Sequence, residues 1–160
     1  MRQHDLDGIA RAIVDSNLFM TIATADATVR PWASPVYYAS KNYAEFLWIS
    51  SPDAFHSRNL ATRPEVSIVV FDSRAQIGEG QAVYITAVAA ELTGTDLERG
   101  IRIFSDGSVK HGHREWMPDD VLPPAFHRLY RATASERWIL DPGDHPIHGR
   151  TGDHRTPVSP

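Results

Sequence analysis

The chain has 160 residues, 42% hydrophobic and 22% charged, with a net charge of −4 and no cysteine. That length suits one domain with a real core, and the missing cysteines exclude disulfides, thiolate nucleophiles and zinc–thiolate sites. The mild acidity offers no global attraction to nucleic acid or anionic membrane, and without a long apolar run a cytoplasmic location is expected.

Leu6, Ile9, Ala10, Ile13 and Val14 recur at helical spacing, with Asp5 as N-cap and Asn17 as the stop. Three strands follow, Leu18 to Thr24, Pro31 to Ala39 and Ala44 to Ser50, joined by short turns as a meander. Pro52 and Pro64 bracket a short helix over Asp53–Ala61. Val66 to Phe71 and Ala82 to Leu92 are strands, the second apolar on both faces, as in a closed barrel wall. Thr95-Asp-Leu-Glu98 reads as a capping box opening a helix that ends near Asp106-Gly107. Residues 108–124 read as irregular, anchored by Trp116 and Met117. His127 to Thr133 and Arg137 to Leu140 form one bent strand or two. The reading is therefore a domain over 1–140, mainly β within an α+β class, followed by a solvated tail or an arm over a neighbour at 141–160.

Ser50, Ser51, His56, Ser57, Arg58 and Asn59 crowd the end of the third strand and the first turns of the short helix. Hydroxyls, helix-start N–H groups and a permanent cation are what a phosphate monoester needs. The same residues also fit a bland reading, with Arg58 solvated and Asn59 capping the backbone.

These residues belong to a wider pattern: Arg30-Pro-Trp-Ala-Ser-Pro-Val36, Phe46-Leu-Trp-Ile-Ser-Ser51, His56-Ser-Arg-Asn-Leu60 before Arg63-Pro64-Glu65-Val66, Gly80-Gln81-Ala-Val-Tyr-Ile85 and Ala89-Ala-Glu-Leu92. The pattern resembles the pyridoxamine-phosphate-oxidase-like FMN-binding split-barrel family. The resemblance implies a six-stranded antiparallel split β-barrel with flanking helices, dimerising side by side with two FMN sites at the interface. It implies that Ser34, Pro35 and Val36 lie along the flavin, that Ile49 and Ser50 join them, and that Gln81 stands near the ring. Phe55 and His56 replace the basic pair that holds the phosphate in that family, and Arg58 substitutes from further along the helix.

Ser34 stands where the true oxidase has a basic residue, and the C-terminal pattern around Arg137 and Trp138 differs too. The implied function is thus an FMN-dependent oxidoreductase acting on a small molecule other than pyridoxamine phosphate. The alternatives are a deazaflavin-dependent reductase, or a flavin- or haem-binding protein without turnover. Trp32 fits the cofactor side or the subunit interface, whereas Trp48 reads as core. Tyr37 and Tyr38 face opposite sides of their strand. His111, His113, His145, His148 and His154 match no metal-ligand spacing. Nucleophile-elbow, phosphate-loop and dinucleotide-glycine motifs are all missing.

Overall fold

The computed structural model describes residues 3–141 and 154–160. Helix α1 (Gln3–Ser16) leads into strands β1 (Phe19–Ala25), β2 (Pro31–Tyr37), β3 (Ala39–Lys41) and β4 (Glu45–Ser50). Helix α2 (Phe55–Thr62), strands β5 (Glu65–Phe71) and β6 (Ala82–Glu91) and helix α3 (Gly94–Lys110) follow. A 3-10 turn at Pro118–Asp120, the long strand β7 (Arg128–Leu140) and the short β8 (Arg155–Pro157) complete the chain.

All pairings are antiparallel, and the sheet runs β2-β1-β5-β6-β7-β4-β3, with β8 added beside β7. Its first and last members, β2 and β3, are consecutive in the chain and separated by Tyr38 alone. A sheet whose two ends are one piece of backbone must curl on itself, and the result is a split barrel. Counting β2 and β3 as one broken strand yields the expected six, and β8 is an addition. The three-strand meander is present with a break in its middle strand: β1 pairs with β2 and β3 with β4, and no ladder joins β2 to β4 among the described pairings.

Alternation explains the core. Met20, Ile22, Val36, Phe46, Trp48, Ile68, Val70, Val83 and Ile85 point inward, and Leu6, Ala10 and Val14 of α1 cover one end. On the other side of the wall, Leu97, Ile101 and Phe104 of α3 pack on Ala39, Leu47 and Leu129. Each fully buried aliphatic or aromatic side chain contributes roughly 1.5–3 kcal/mol relative to exposure. Trp48 is fully buried, as its apolar strand implied.

Several element boundaries differ from expectation. Asp5 lies within the first turn of α1 rather than at its N-cap. Thr93, not Thr95, precedes α3, and no side chain caps it; burial of Leu92 and Leu97 on both sides of the start sets it. The helix runs past Gly107, because that glycine lets α3 approach β3: an added Cβ would lie 2.9 Å from the Ala39 Cβ. The real stop is Gly112 at φ 77°, where Gly112 N–H donates to Val109 O and His113 N–H to Ser108 O, the paired bonds of a left-handed helix cap. Trp116 is half-buried, but Met117 is 56% exposed and anchors nothing.

The last strand is one bent strand. Glu136 pairs with Thr86 and Ala134 with Ala87, so Ser135 forms a bulge. Of the segment expected to be a tail or arm, residues 155–157 pair with β7 and Val158 is buried against the core. Residues 142–153, with His145 and His148, lie outside the described residues.

Tyr38 holds the strand switch. Its side chain is 4% exposed and its hydroxyl donates to Val14 O at 2.6 Å. Tyr38→Phe leaves that buried carbonyl without its partner and is expected to lower stability by roughly 1–3 kcal/mol, read as a lower urea midpoint at unchanged m-value.

Candidate functional site

The mouth of the barrel where β2 and β4 face each other is closed by the start of α2. Ser51 shapes the approach: its Oγ accepts from Asp53 N–H at 3.1 Å and its carbonyl from Ala54 N–H at 3.2 Å. Ala54 then stands at the N-cap with no side-chain bond to offer, so the first-turn N–H groups of α2 have no side-chain cap.

His56 fills the seam. It is 8% exposed, with Nδ1 3.2 Å from Ser34 Oγ on β2 and Nε2 2.9 Å from Ser50 Oγ on β4. Ser34 Oγ also accepts from Trp32 Nε1 at 3.0 Å. Burial holds the imidazole pKa below its ordinary value, which favours the neutral ring near pH 7. A fixed positive charge at His56 in the free protein, as the phosphate-gripping role requires, is therefore disfavoured.

Beside the seam lies an exposed stack. Trp32 and Phe55 have ring centroids 4.6 Å apart with their planes tilted by 35°, and the Arg58 guanidinium lies 4.8 Å from the Phe55 centroid. Arg58 is exposed and has no acidic partner among the described residues. Phe55, where the resemblance placed a basic residue, contacts both Trp32 and Arg58.

The remaining predicted residues divide by the face they occupy. Asn59 is buried and donates from Nδ2 to Thr24 Oγ1 at 3.0 Å, and Thr24 donates on to Trp32 O at 3.3 Å. Asn59 thus fixes α2 against β1 and β2. Thr24 was missed by sequence reasoning, since a strand threonine carries no signal of its own. Ser57 is turned inward beside Tyr130. Val36 points into the core, and Ile49 packs toward α3 on the wall opposite to Ser50. Pro35 faces out on the far side of β2. Gln81 lies three strands along the sheet from β2, in a cleft with Val69, Phe71 and Tyr84, its Nε2 buried without a partner.

Of the two adjacent tyrosines, Tyr38 is core, while Tyr37 is half-buried with its hydroxyl 3.2 Å from His111 Nδ1. His154 lies 2.6 Å from Asp141. Among the described residues no three metal-ligating side chains converge, and no helix there is long and apolar enough to cross a membrane.

The sequence model of the pyridoxamine 5'-phosphate oxidase family matches residues 6–112. The chain belongs to this family. No curated protein sequence matches it, but solved structures do. The heme-binding protein of Mycobacterium smegmatis superposes with a TM-score of 0.69 at 21% identity, covering 94% of this chain and 56% of that one. The heme storage protein HutZ of Vibrio cholerae gives 0.68 at 20% identity, over 89% and 96% of the two chains. A FAD-binding protein of Mesorhizobium loti gives 0.60 at 20% identity, over 82% and 91%. At these identities the likeness establishes the shared fold.

The lowered His56 pKa has a consequence for stability. Below its ordinary value of 6.5 the unfolded chain binds a proton that the folded chain resists, so this contribution is complete above that pH and fades as pH falls through it. The stability advantage of wild type over His56→Gln is expected to shrink between about pH 8 and about pH 5.5, as measured by urea unfolding at both values.

Proposed function

We propose that the chain is an FMN-binding oxidoreductase that works as a homodimer on a small molecule other than pyridoxamine phosphate. The observation that carries this reading is the exposed Trp32–Phe55–Arg58 stack beside the uncapped start of α2. A flavin mononucleotide is a planar ring with a phosphate tail. Aromatic faces suit the first, and a guanidinium with no acidic partner among the described residues, beside uncapped helix-start N–H groups, suits the second. The donor set fits. Arg58, the start of α2 and the Ser34 and Ser50 hydroxyls at the seam would take the phosphate, and Trp32 would shield it from water. Bound flavin supplies the hydride or electron chemistry, while the protein binds, orients and keeps the site dry. Ser34, in place of the oxidase's basic residue, removes a cation that a phosphorylated pyridoxamine would use.

The homodimer rests on a second observation. The outward residues Phe19, Thr21, Ala23, Ala33, Pro35, Ser67, Val69, Phe71, Tyr84, Thr86 and Val88 form an uncharged patch, many of them exposed in the single chain, with Glu65 and Glu136 at its margin. An antiparallel sheet face open to water ordinarily alternates to polar residues, so a covering partner accounts for this one. The unpartnered Gln81 amide lies on the same face, where a neighbouring subunit's cofactor would reach it.

FMN titration of the purified protein, followed by quenching of flavin fluorescence, is expected to saturate. Arg58→Ala should weaken binding by roughly 1.5–3 kcal/mol, the range for a hydrogen bond to a charged group, or about 10- to 150-fold. An unchanged dissociation constant would place the phosphate elsewhere. Relatives of this fold are named for haem and for FAD, so parallel titrations with haem and a deazaflavin complete the test. Uptake of either one without FMN would replace this reading. Light scattering should give twice the chain mass for wild type and the single-chain mass for Ala23→Glu, a residue exposed in the isolated chain. A monomeric wild type would remove the dimer.

A further inference from the structure

The flavin reading leaves one arrangement unexplained: a buried imidazole strung between two hydroxyls. Trp32 Nε1–H donates to Ser34 Oγ, so the Ser34 proton remains available to another acceptor. The neutral imidazole has one N–H and one bare nitrogen. Whichever nitrogen is bare accepts the proton of the serine facing it, and the other serine keeps its O–H free. A neutral His56 thus presents one outward O–H from the pair Ser34 and Ser50. An imidazolium has two N–H groups and accepts nothing, so both serines turn their protons outward with a positive charge behind them.

We infer that His56 is a proton-gated positioning residue, which takes up a proton when an anionic group of the cofactor settles on Ser34 and Ser50 and so turns both hydroxyls into donors. The inference rests on the flavin reading and adds a regulatory property to it. Burial sets the gate in the free protein by disfavouring the charged ring, and an anion at the seam reverses the preference. The proton comes from solvent, resides on the imidazole and returns when the ligand leaves; no bond other than N–H changes.

The surroundings leave this switch to the ligand. On β2 and β4 the partners of His56 are uncharged serines. Across from Ser50 on β7 stands Arg128, whose guanidinium donates to the carbonyls of Ala125 and His127 and pairs with Glu91. Tyr130 lies beside Ser57 and Thr24 beside Asn59. On α2 and its approach the charged residues are Asp53 and Arg58, both exposed. Burial is the one resolved cause of the His56 shift, so no fixed neighbouring charge has already set the gate.

The test compares FMN affinity of wild type and His56→Gln from about pH 5.5 to about pH 8.5, with riboflavin as the phosphate-free probe. Glutamine keeps one donor and one acceptor but cannot take a proton. The two proteins should agree within about twofold at the alkaline end, and wild type should bind FMN roughly tenfold tighter at about pH 6, a tenfold change corresponding to one pKa unit. Titration of the FMN phosphate itself is common to both proteins and cancels in the ratio. Riboflavin should show no such gap. A wild-type-to-variant ratio that stays constant with pH overturns the switch while leaving the flavin site standing, whereas failure of both proteins to bind FMN at any pH overturns the flavin reading and the switch with it. If the variant fails to fold, calorimetry on unsubstituted protein, in two buffers of different ionisation enthalpy at about pH 7.5, decides between the same outcomes. Net proton uptake on FMN binding is expected, and none overturns the inference.

Discussion

Closure of the sheet through Tyr38 is the constraint on which the rest depends. β2 hydrogen-bonds to β1 and β3 to β4, with one residue between them, so the two ends of the sheet are tied at zero distance. The tie is secured from inside by the Tyr38 hydroxyl on the last turn of α1. Closure brings Ser34 and Ser50 to opposite sides of a single imidazole, although they stand on strands five places apart in the hydrogen-bonded order. The barrel is split there, and a side chain from α2 crosses the gap where a backbone ladder would otherwise run.

Around that seam the molecule separates support from recognition. Asn59 and Thr24 are buried and hydrogen-bonded to one another, and through Trp32 O they hold the rim of β2 against α2. The residues turned outward, Trp32, Phe55 and Arg58, touch each other through ring faces and a guanidinium. Such exposed contacts contribute little to stability, about 0.5–1 kcal/mol for a cation–π pair. Their value is a preformed aromatic surface beside a guanidinium that has no acidic partner among the described residues. The opposite arrangement holds on the α3 side, where Arg99 and Arg131 converge on Glu45, and Asp96 joins Arg131. Those cations are already satisfied and form a brace between α3 and the sheet.

Strand positions were readable because most strands bury one face and so alternate, while β4, buried on both faces, reads as an apolar run bounded by turn residues. The break at Tyr38 was not, since alternation runs unbroken from Val36 through Tyr38 and the change of partner leaves no trace in composition. Glycine was misread in one place for a related reason. Gly107 and Gly112 look alike in sequence, but one permits a close helix–strand approach and the other takes a positive φ to end the helix. Distinguishing them requires knowing what lies opposite. At the site, the sequence brought Ser34, Ser50, His56 and Arg58 into one group, and the structure places them at one mouth. It could not separate Arg58, which is exposed, from Asn59, which is buried, because adjacent helical residues point about 100° apart and only packing decides which direction is inward.

The sequence by itself determined the family, the barrel's strands and the absence of thiol chemistry, because these depend on residue identity and local period. Tertiary structure alone decided that His56 is a buried bridge between strands, that Phe55 contacts both Trp32 and Arg58, and that the C-terminal residues return to the sheet as β8. Those outcomes turn on desolvation and on which distant segments meet when the sheet closes, quantities that belong to the folded chain and to no window of its residues.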